Sequence, residues 1–170
     1  MQTPKQPESA ARLAFFFTFG FGAAPLNPQT AFEHAQNALG HVLSVRWLVA
    51  RAYLFGYGPK VDERKASSII LPAVPGDCIA AFYHGAYLDE SARTTPRFRA
   101  SVAEVVSSAN AGDAQAAYWV AQNHDLAAKH LDRQGGVTLH ECAWYYLQAA
   151  RQDHAYAQFG LAWMFRDGCG

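Results

Sequence analysis

The residues best suited to chemistry are seven histidines and three cysteines, and their spacing limits what they can do. His140-Glu141 resembles the start of a zinc-protease helix, in which a second histidine follows the first by four residues. Trp144 occupies that position, so the helix cannot present two histidine ligands on one face. The sequence therefore does not support a zinc protease of this kind.

A metal-dependent hydrolase using the region from 124 to 142 is the alternative function. Side chains with metal-binding atoms occur there at His124, Asp125, His130, His140 and Cys142, but without the regular spacing of a metal motif. In the competing interpretation, His124 replaces a core aromatic residue, His130 is solvated and Cys142 is a small residue at a helix contact. We favour the second interpretation and predict no metal, no cofactor and no catalytic residue.

Nucleophilic catalysis finds no better support. His140 lies two residues before Cys142, and side chains two apart on a helix diverge, so this histidine is badly placed as a base. His84 falls at an inward position, where we expect a hydrogen-bonded core histidine. The pair Gly135-Gly136 lacks the lysine of a phosphate-binding loop.

Composition describes a neutral chain with a large apolar fraction. Lysine plus arginine equals aspartate plus glutamate at 14 each, so no global field attracts nucleic acid or an anionic membrane. The cysteines are too far apart for a disulfide framework, which favours a reducing compartment and a cytoplasmic protein. The segment 13–24 has the length of a secretory leader, and the alternative is a periplasmic or secreted protein.

A repeat of about 36 residues organises the chain. An aromatic residue followed three and five residues later by glycine occurs at Phe17, Tyr53 and Phe165. Leu88 and His124 hold the equivalent position in two further helical segments, which gives steps of 36, 35, 36 and 41. A period of this length is typical of a helix-turn-helix unit. The longest step contains 124–137, for which we predict an extended loop or an extra helical turn.

Second helices are predicted between these segments, over 28–39, 62–74, 96–109 and 139–152. Asn27-Pro28 and Asp62 have the residue types of helix starts. Pro72 cannot donate a backbone hydrogen bond, so the helix that contains it should bend or end near Leu71.

The C-terminal residues resemble a known family. Residues 155–170 follow the order small, any, small, Gln, aromatic, any, Leu, Ala, any, Met, aromatic, any, any, Gly, any, Gly, and 145–152 match the helix that precedes it. Both segments are similar to the Sel1-like repeat, a relative of the tetratricopeptide repeat. The resemblance covers residues 1–170 as one domain, with repeats over 9–42, 43–77, 78–113 and 114–154 and a half repeat over 155–170. It implies an all-α, right-handed α-solenoid of about four and a half antiparallel helix pairs.

The resemblance also implies a non-catalytic scaffold or adaptor that binds a protein or peptide in its concave groove, such as an adaptor, chaperone or immunity protein of a bacterial effector system. In tetratricopeptide-like units the first helix lines that groove. The corresponding positions here are Phe15, Arg51, Leu54, Asp89, Asp125, Trp163 and Arg166. Trp163, Arg51 and Arg166 are the predicted anchors, because tryptophan and arginine dominate interface energies.

Two further expectations concern aromatic residues. Trp47, Phe82, Tyr118 and Phe159 recur at one repeat position, and we expect them to pack between adjacent repeats. The last helix carries apolar residues where a terminal repeat ordinarily has a polar face. We therefore predict that it docks on a partner or forms a homodimer.

Overall fold

The fold consists of helices throughout the part of the chain that the computed structural model describes, which is residues 7–21, 25–125, 127 and 138–169. No strand occurs in these residues, so the predicted all-α class is confirmed. Nine α-helices lie within them: α1 (Pro7–Phe19), α2 (Pro28–Ala38), α3 (Arg46–Phe55), α4 (Glu63–Ile70), α5 (Cys78–Tyr83), α6 (Pro96–Asn110), α7 (Ala114–Gln122), α8 (Leu139–Ala150) and α9 (Ala155–Asp167).

The helices pack as successive pairs. Within the described residues α1 packs on α2, α3 on α4, α5 on α6 and α7 on α8, while α9 packs on α8. This is the predicted solenoid of about four and a half helix pairs. Helices α5, α7 and α9 begin directly after the expected repeat boundaries at 77, 113 and 154.

Polar side chains fix the starts of these helices by accepting hydrogen bonds from otherwise unpaired backbone N–H groups. Asp62 accepts from the Lys65 N–H at 2.9 Å, and Asp77 and Asp113 do the same for α5 and α7. Helix α4 ends at Ile70 and continues as a 3-10 turn that contains Pro72. The expected end near Leu71 is therefore confirmed.

Aromatic residues one repeat apart form the core. The Trp47 ring stacks on Tyr83 at 5.4 Å and meets Trp119 edge-on at 5.2 Å. The Trp119 indole N–H donates to the Tyr83 hydroxyl at 3.1 Å, across 36 residues of sequence. The repeat period therefore corresponds to side-chain contact between neighbouring units.

The predicted packing residues differ in burial. Trp47, Phe82 and Tyr118 are buried, as expected for rings between adjacent repeats. Phe159 is 64% exposed, because it lies on a face of α9 that none of the described helices covers. The expectation of packing is wrong for this residue.

The third repeat departs from a regular helix. After α5 the chain makes a π-helical turn (His84–Leu88) and then a 3-10 turn (Glu90–Thr94). The Arg93 guanidinium holds this shape by donating to the backbone carbonyls of Gly85 and Ala86 at 2.8 and 2.9 Å. Short π-helical turns such as His84–Leu88 are frequent at functional sites.

The two ends of the solenoid meet. The ring of Phe19, at the end of α1, lies 5.3 Å from His154 and 6.3 Å from Tyr156. Gly20 has a φ of +65°, and a Cβ there would lie 3.1 Å from the Ala155 Cβ. The first helix therefore contacts the start of the last one.

The structure describes part of the segment 13–24, which has the length of a secretory leader. Residues 13–19 of the candidate leader belong to α1, and 22–24 lie outside the described residues. None of the helices described reaches the length and apolar character that a bilayer crossing requires.

Candidate functional site: an aromatic cleft around Arg51

A cleft of about 570 Å³ lies where the ends of the solenoid approach each other. Its volume falls within the range of about 300–1,000 Å³ that is usual for ligand pockets. Most of the lining comes from α3, α5, α7 and α9, which are the first-type helices, meaning that each is the first helix of its repeat. The lining residues are Arg51, Phe55, Tyr57, Tyr83, Tyr87, Tyr118, Gln122, Tyr146, Tyr156, Phe159, Gly160, Trp163 and Met164.

Arg51 is the cation of this cleft and is only 6% exposed. Its guanidinium carbon lies 4.6 Å from the ring centre of Tyr57, 5.4 Å from that of Tyr156 and 5.8 Å from that of Phe55. Phe19, behind the cleft, lies at 5.3 Å. Rings at these distances attract a cation through their electron-rich faces.

Local backbone geometry brings Tyr57 onto Arg51. Helix α3 ends at Phe55 and is capped by Gly56, whose φ of +70° suits a residue without a Cβ. The Tyr57 N–H then donates to the Ala52 carbonyl at 2.9 Å, so the chain folds back over the last turn of α3. The glycine motif recognised in the sequence thus places an aromatic ring beside the arginine.

Four tyrosines of the cleft, Tyr83, Tyr87, Tyr118 and Tyr146, have raised pKa values and remain neutral at physiological pH. Burial raises the pKa of Tyr83 to about 12, and it also raises the pKa of Tyr118 and Tyr87. Tyr87 donates its hydroxyl hydrogen to Asn123 at 2.9 Å. These phenols can therefore exchange hydrogen bonds with a ligand, but they do not act as bases near pH 7.

His154 packs against Tyr118, a residue of the cleft lining. Its ring is fully buried and stacks on Tyr118 at 4.6 Å. The Nδ1 atom accepts from the Ala157 N–H at 3.2 Å, and Nε2 lies 3.1 Å from the Gln115 side-chain oxygen. Burial lowers its pKa to about 4, and the charge of Arg51 acts in the same direction. A neutral imidazole therefore caps α9.

Exposed apolar rings form the rim. Phe55 on α3 and Phe159 and Trp163 on α9 are large and exposed. The Arg166 guanidinium lies 3.5 Å from the centre of the Trp163 ring, and it pairs with Asp167 at 2.8 Å. Exposed aromatic groups beside a cleft are typical of binding surfaces.

Two of the seven predicted binding residues, Arg51 and Trp163, line the cleft. Arg166 touches the Trp163 ring without lining the cavity. Phe15 lines a separate groove of about 320 Å³ between α1 and α3. Leu54 is half-buried and packs against the core.

The two predicted carboxylates lie away from the cleft lining. Asp89 accepts from the Ser91 N–H at 2.9 Å and starts the 3-10 turn of the third repeat. Asp125 is almost fully exposed, and its carboxylate lies 3.3 Å from the His124 ring. Neither carboxylate pairs with Arg51 among the residues that the structure describes.

The residues considered for a metal site or a nucleophile are spread out. His124 and Cys142 line a smaller cavity of about 270 Å³, His140 is exposed, and His130 lies outside the described residues. Within the described ranges no three histidine, cysteine or acidic residues converge on one point. Burial raises the pKa of the Cys142 thiol to about 11, so the nucleophilic thiolate is disfavoured.

Most of the tyrosine lining was not predicted from the sequence. Tyr83 and Tyr87 lie at positions that the aromatic-to-glycine spacing does not mark, and Tyr118 was expected only as a packing residue between repeats. Their signal is present as pairs 36 residues apart, namely Tyr83 with Trp119 and Tyr87 with Asn123. A residue and its equivalent one repeat later therefore indicate contact in both cases.

Comparison with known proteins shows a distant likeness to a solved structure. No protein-family model matches the chain, and no curated protein matches it. Among solved structures it is similar to a Sel1 repeat protein from Oxalobacter formigenes, with 17% sequence identity and a TM-score of 0.45 over 96% of this chain. The chain spans 65% of the length of that protein. A likeness this distant carries no argument about what the chain binds.

Proposed function

We propose that this chain is a non-catalytic protein-binding module whose cleft around Arg51 holds a segment of a partner protein. The observation that carries the proposal is the cleft itself, in which aromatic side chains from four first-type helices converge on one cavity. Exposed rings continue this surface onto α9. Tyrosine and tryptophan supply large contact areas at a low entropic cost, and they dominate the energetics of protein interfaces.

The chemistry of the lining favours binding over catalysis. Among the described residues that line the cleft there is no histidine, cysteine or carboxylate. The ionisable groups are one arginine and six tyrosines, and a base or nucleophile that works near pH 7 needs a better-matched pKa. A role as adaptor, chaperone or immunity protein in a bacterial effector system is the specific form of this proposal, and it is supported by the family resemblance of the sequence.

A displayed library of random seven-residue peptides, selected on the purified protein, tests the proposal. Peptides that bind the cleft should lose affinity by about tenfold or more in Trp163→Ala, because an interface tryptophan commonly contributes 2 kcal/mol or more, roughly 30-fold. Trp144→Ala is the matched control: Trp144 is 50% exposed, Trp163 is 45% exposed, and Trp144 does not line the cleft. It should leave binding unchanged.

Two results would contradict the proposal. One is a selection that yields no binding peptide. The other is a set of peptides whose affinity is equal for the wild-type protein and Trp163→Ala. Far-ultraviolet circular dichroism of both variants establishes that the comparison is made on folded proteins.

A further inference from the structure

No carboxylate of the described residues pairs with the buried guanidinium of Arg51. Among the described residues it forms no ion pair, and the cleft lining contributes no carboxylate. The Tyr83 hydroxyl, which is neutral, lies close enough to interact with it. Arginine has five N–H donors, and one neutral hydroxyl can accept only some of them.

An unpaired buried cation is unfavourable, and proteins normally pair such groups. The surrounding rings offset part of this cost, but ring faces do not replace the directional acceptors that a guanidinium matches best. A ligand carboxylate that enters the cleft would supply two such oxygens. Charge complementarity therefore identifies the chemistry of the occupant.

We propose that the partner segment inserts the carboxylate of an aspartate or glutamate side chain into the cleft, where it pairs with Arg51 between apolar flanking residues. This inference rests on the proposed binding function. One cationic side chain lines the described cleft, and its single charge matches a carboxylate. Neutral tyrosine hydroxyls beside it can donate further hydrogen bonds to the same oxygens.

The rim indicates that the anion comes from a side chain within the segment. Exposed rings are contributed by two different helices, Phe55 by α3 and Phe159 with Trp163 by α9. A peptide that crosses from α3 to α9 can place one apolar residue against Phe55 and another against Trp163. The peptide residue between these two can then point towards Arg51. We therefore expect the pattern apolar, acidic, apolar, with small changes of spacing.

The peptide selection is repeated on wild-type protein, Arg51→Met and Arg99→Met. Arg99 is an exposed residue of α6 outside the cleft, which makes it the matched control. Wild type and Arg99→Met should enrich one acidic position flanked by apolar residues, and Arg51→Met should lose that acidic preference. Methionine retains much of the apolar volume of the arginine stem, and circular dichroism establishes whether this variant folds.

A ligand-side exchange gives a second test that does not depend on Arg51→Met folding. The best selected peptide is synthesised with an acetylated N-terminus and an amidated C-terminus, once with its acidic residue and once with the matching Gln or Asn. On the wild-type protein the amide version should bind about 10- to 100-fold more weakly, the usual range for loss of a hydrogen bond to a charged group.

The outcomes separate the two proposals. Peptides that require Trp163 but show no acidic preference would overturn this inference and leave the binding function intact. Peptides that bind through a free C-terminal carboxylate, and fail when amidated, would also overturn it. Failure to select any peptide, or binding independent of Trp163, would overturn the binding function, and this inference with it.

Discussion

Acid should destabilise the protein through one residue, His154. Its Nδ1 atom accepts the Ala157 N–H at 3.2 Å, and it can do so only while it carries no proton. Protonation would place two hydrogens opposite each other in a fully buried site among Phe19, Phe21 and Tyr118. The native state therefore disfavours the imidazolium form.

The size and sign of this effect on the free energy of unfolding follow from the pKa of His154. Burial lowers the pKa of His154 from 6.5 to about 4 in the folded protein, so between these values the unfolded chain binds more protons than the native one. The contribution to stability is fully present above about pH 6.5 and is lost as the pH falls to about 4. A difference of this size corresponds to about 3 kcal/mol, a large share of the ~5–15 kcal/mol that stabilises a typical domain.

Urea unfolding followed by circular dichroism between pH 4 and pH 8 measures this effect. His154→Asn keeps a residue type that caps helices well but removes the titrating group. We expect it to be less stable than wild type at pH 7, with a gap that narrows by about 3 kcal/mol towards pH 4. His41→Asn, at an exposed turn residue, should give a curve parallel to that of wild type. Parallel curves for wild type and His154→Asn would refute the reasoning.

Two further predictions concern packing and assembly. Gly85→Ala should reduce the free energy of unfolding by about 1–3 kcal/mol, because a Cβ at this position would overlap the buried Phe98 ring. Gly40→Ala, which has open space around it, should change the free energy of unfolding by less than about 0.5 kcal/mol. Equal effects of the two substitutions in urea unfolding would contradict the packing argument. Self-association through α9 predicts a mass that rises with concentration in light scattering and falls back to the monomer in Phe165→Ser, since Phe165 is 76% exposed. A concentration-independent monomer mass for the wild-type protein would contradict it.

The helical architecture could be predicted because its determinants are local. Asn27, Asp62 and Asp113 each cap the helix that follows them, and Pro72 ends its helix for a steric reason that any sequence reveals. The period of about 36 residues could also be predicted, because equivalent residues repeat the same contacts. Arg51 and Trp163 were found through their place in that period.

The remaining features depend on geometry that accumulates along the solenoid. Whether Phe19 reaches His154 depends on the small rotation between successive helix pairs. The sequence of a single repeat does not determine this rotation. The π-helical turn after α5 depends on Arg93, which follows Gly85 by eight residues and binds its carbonyl. The exposure of Phe159 depends on which surface of α9 is covered, and a periodic pattern treats all repeats alike.

The contact between Phe19 and His154 changes how this repeat protein can move. An open solenoid can bend along its length, because each unit contacts only its neighbours and no contact restrains the ends. Here Phe19 at the end of α1 contacts His154 at the start of α9, and we expect widening of the cleft around Arg51 to loosen this contact. We therefore expect this cleft to open less readily than that of a solenoid whose first and last helices do not touch, so that a partner segment is selected for its width.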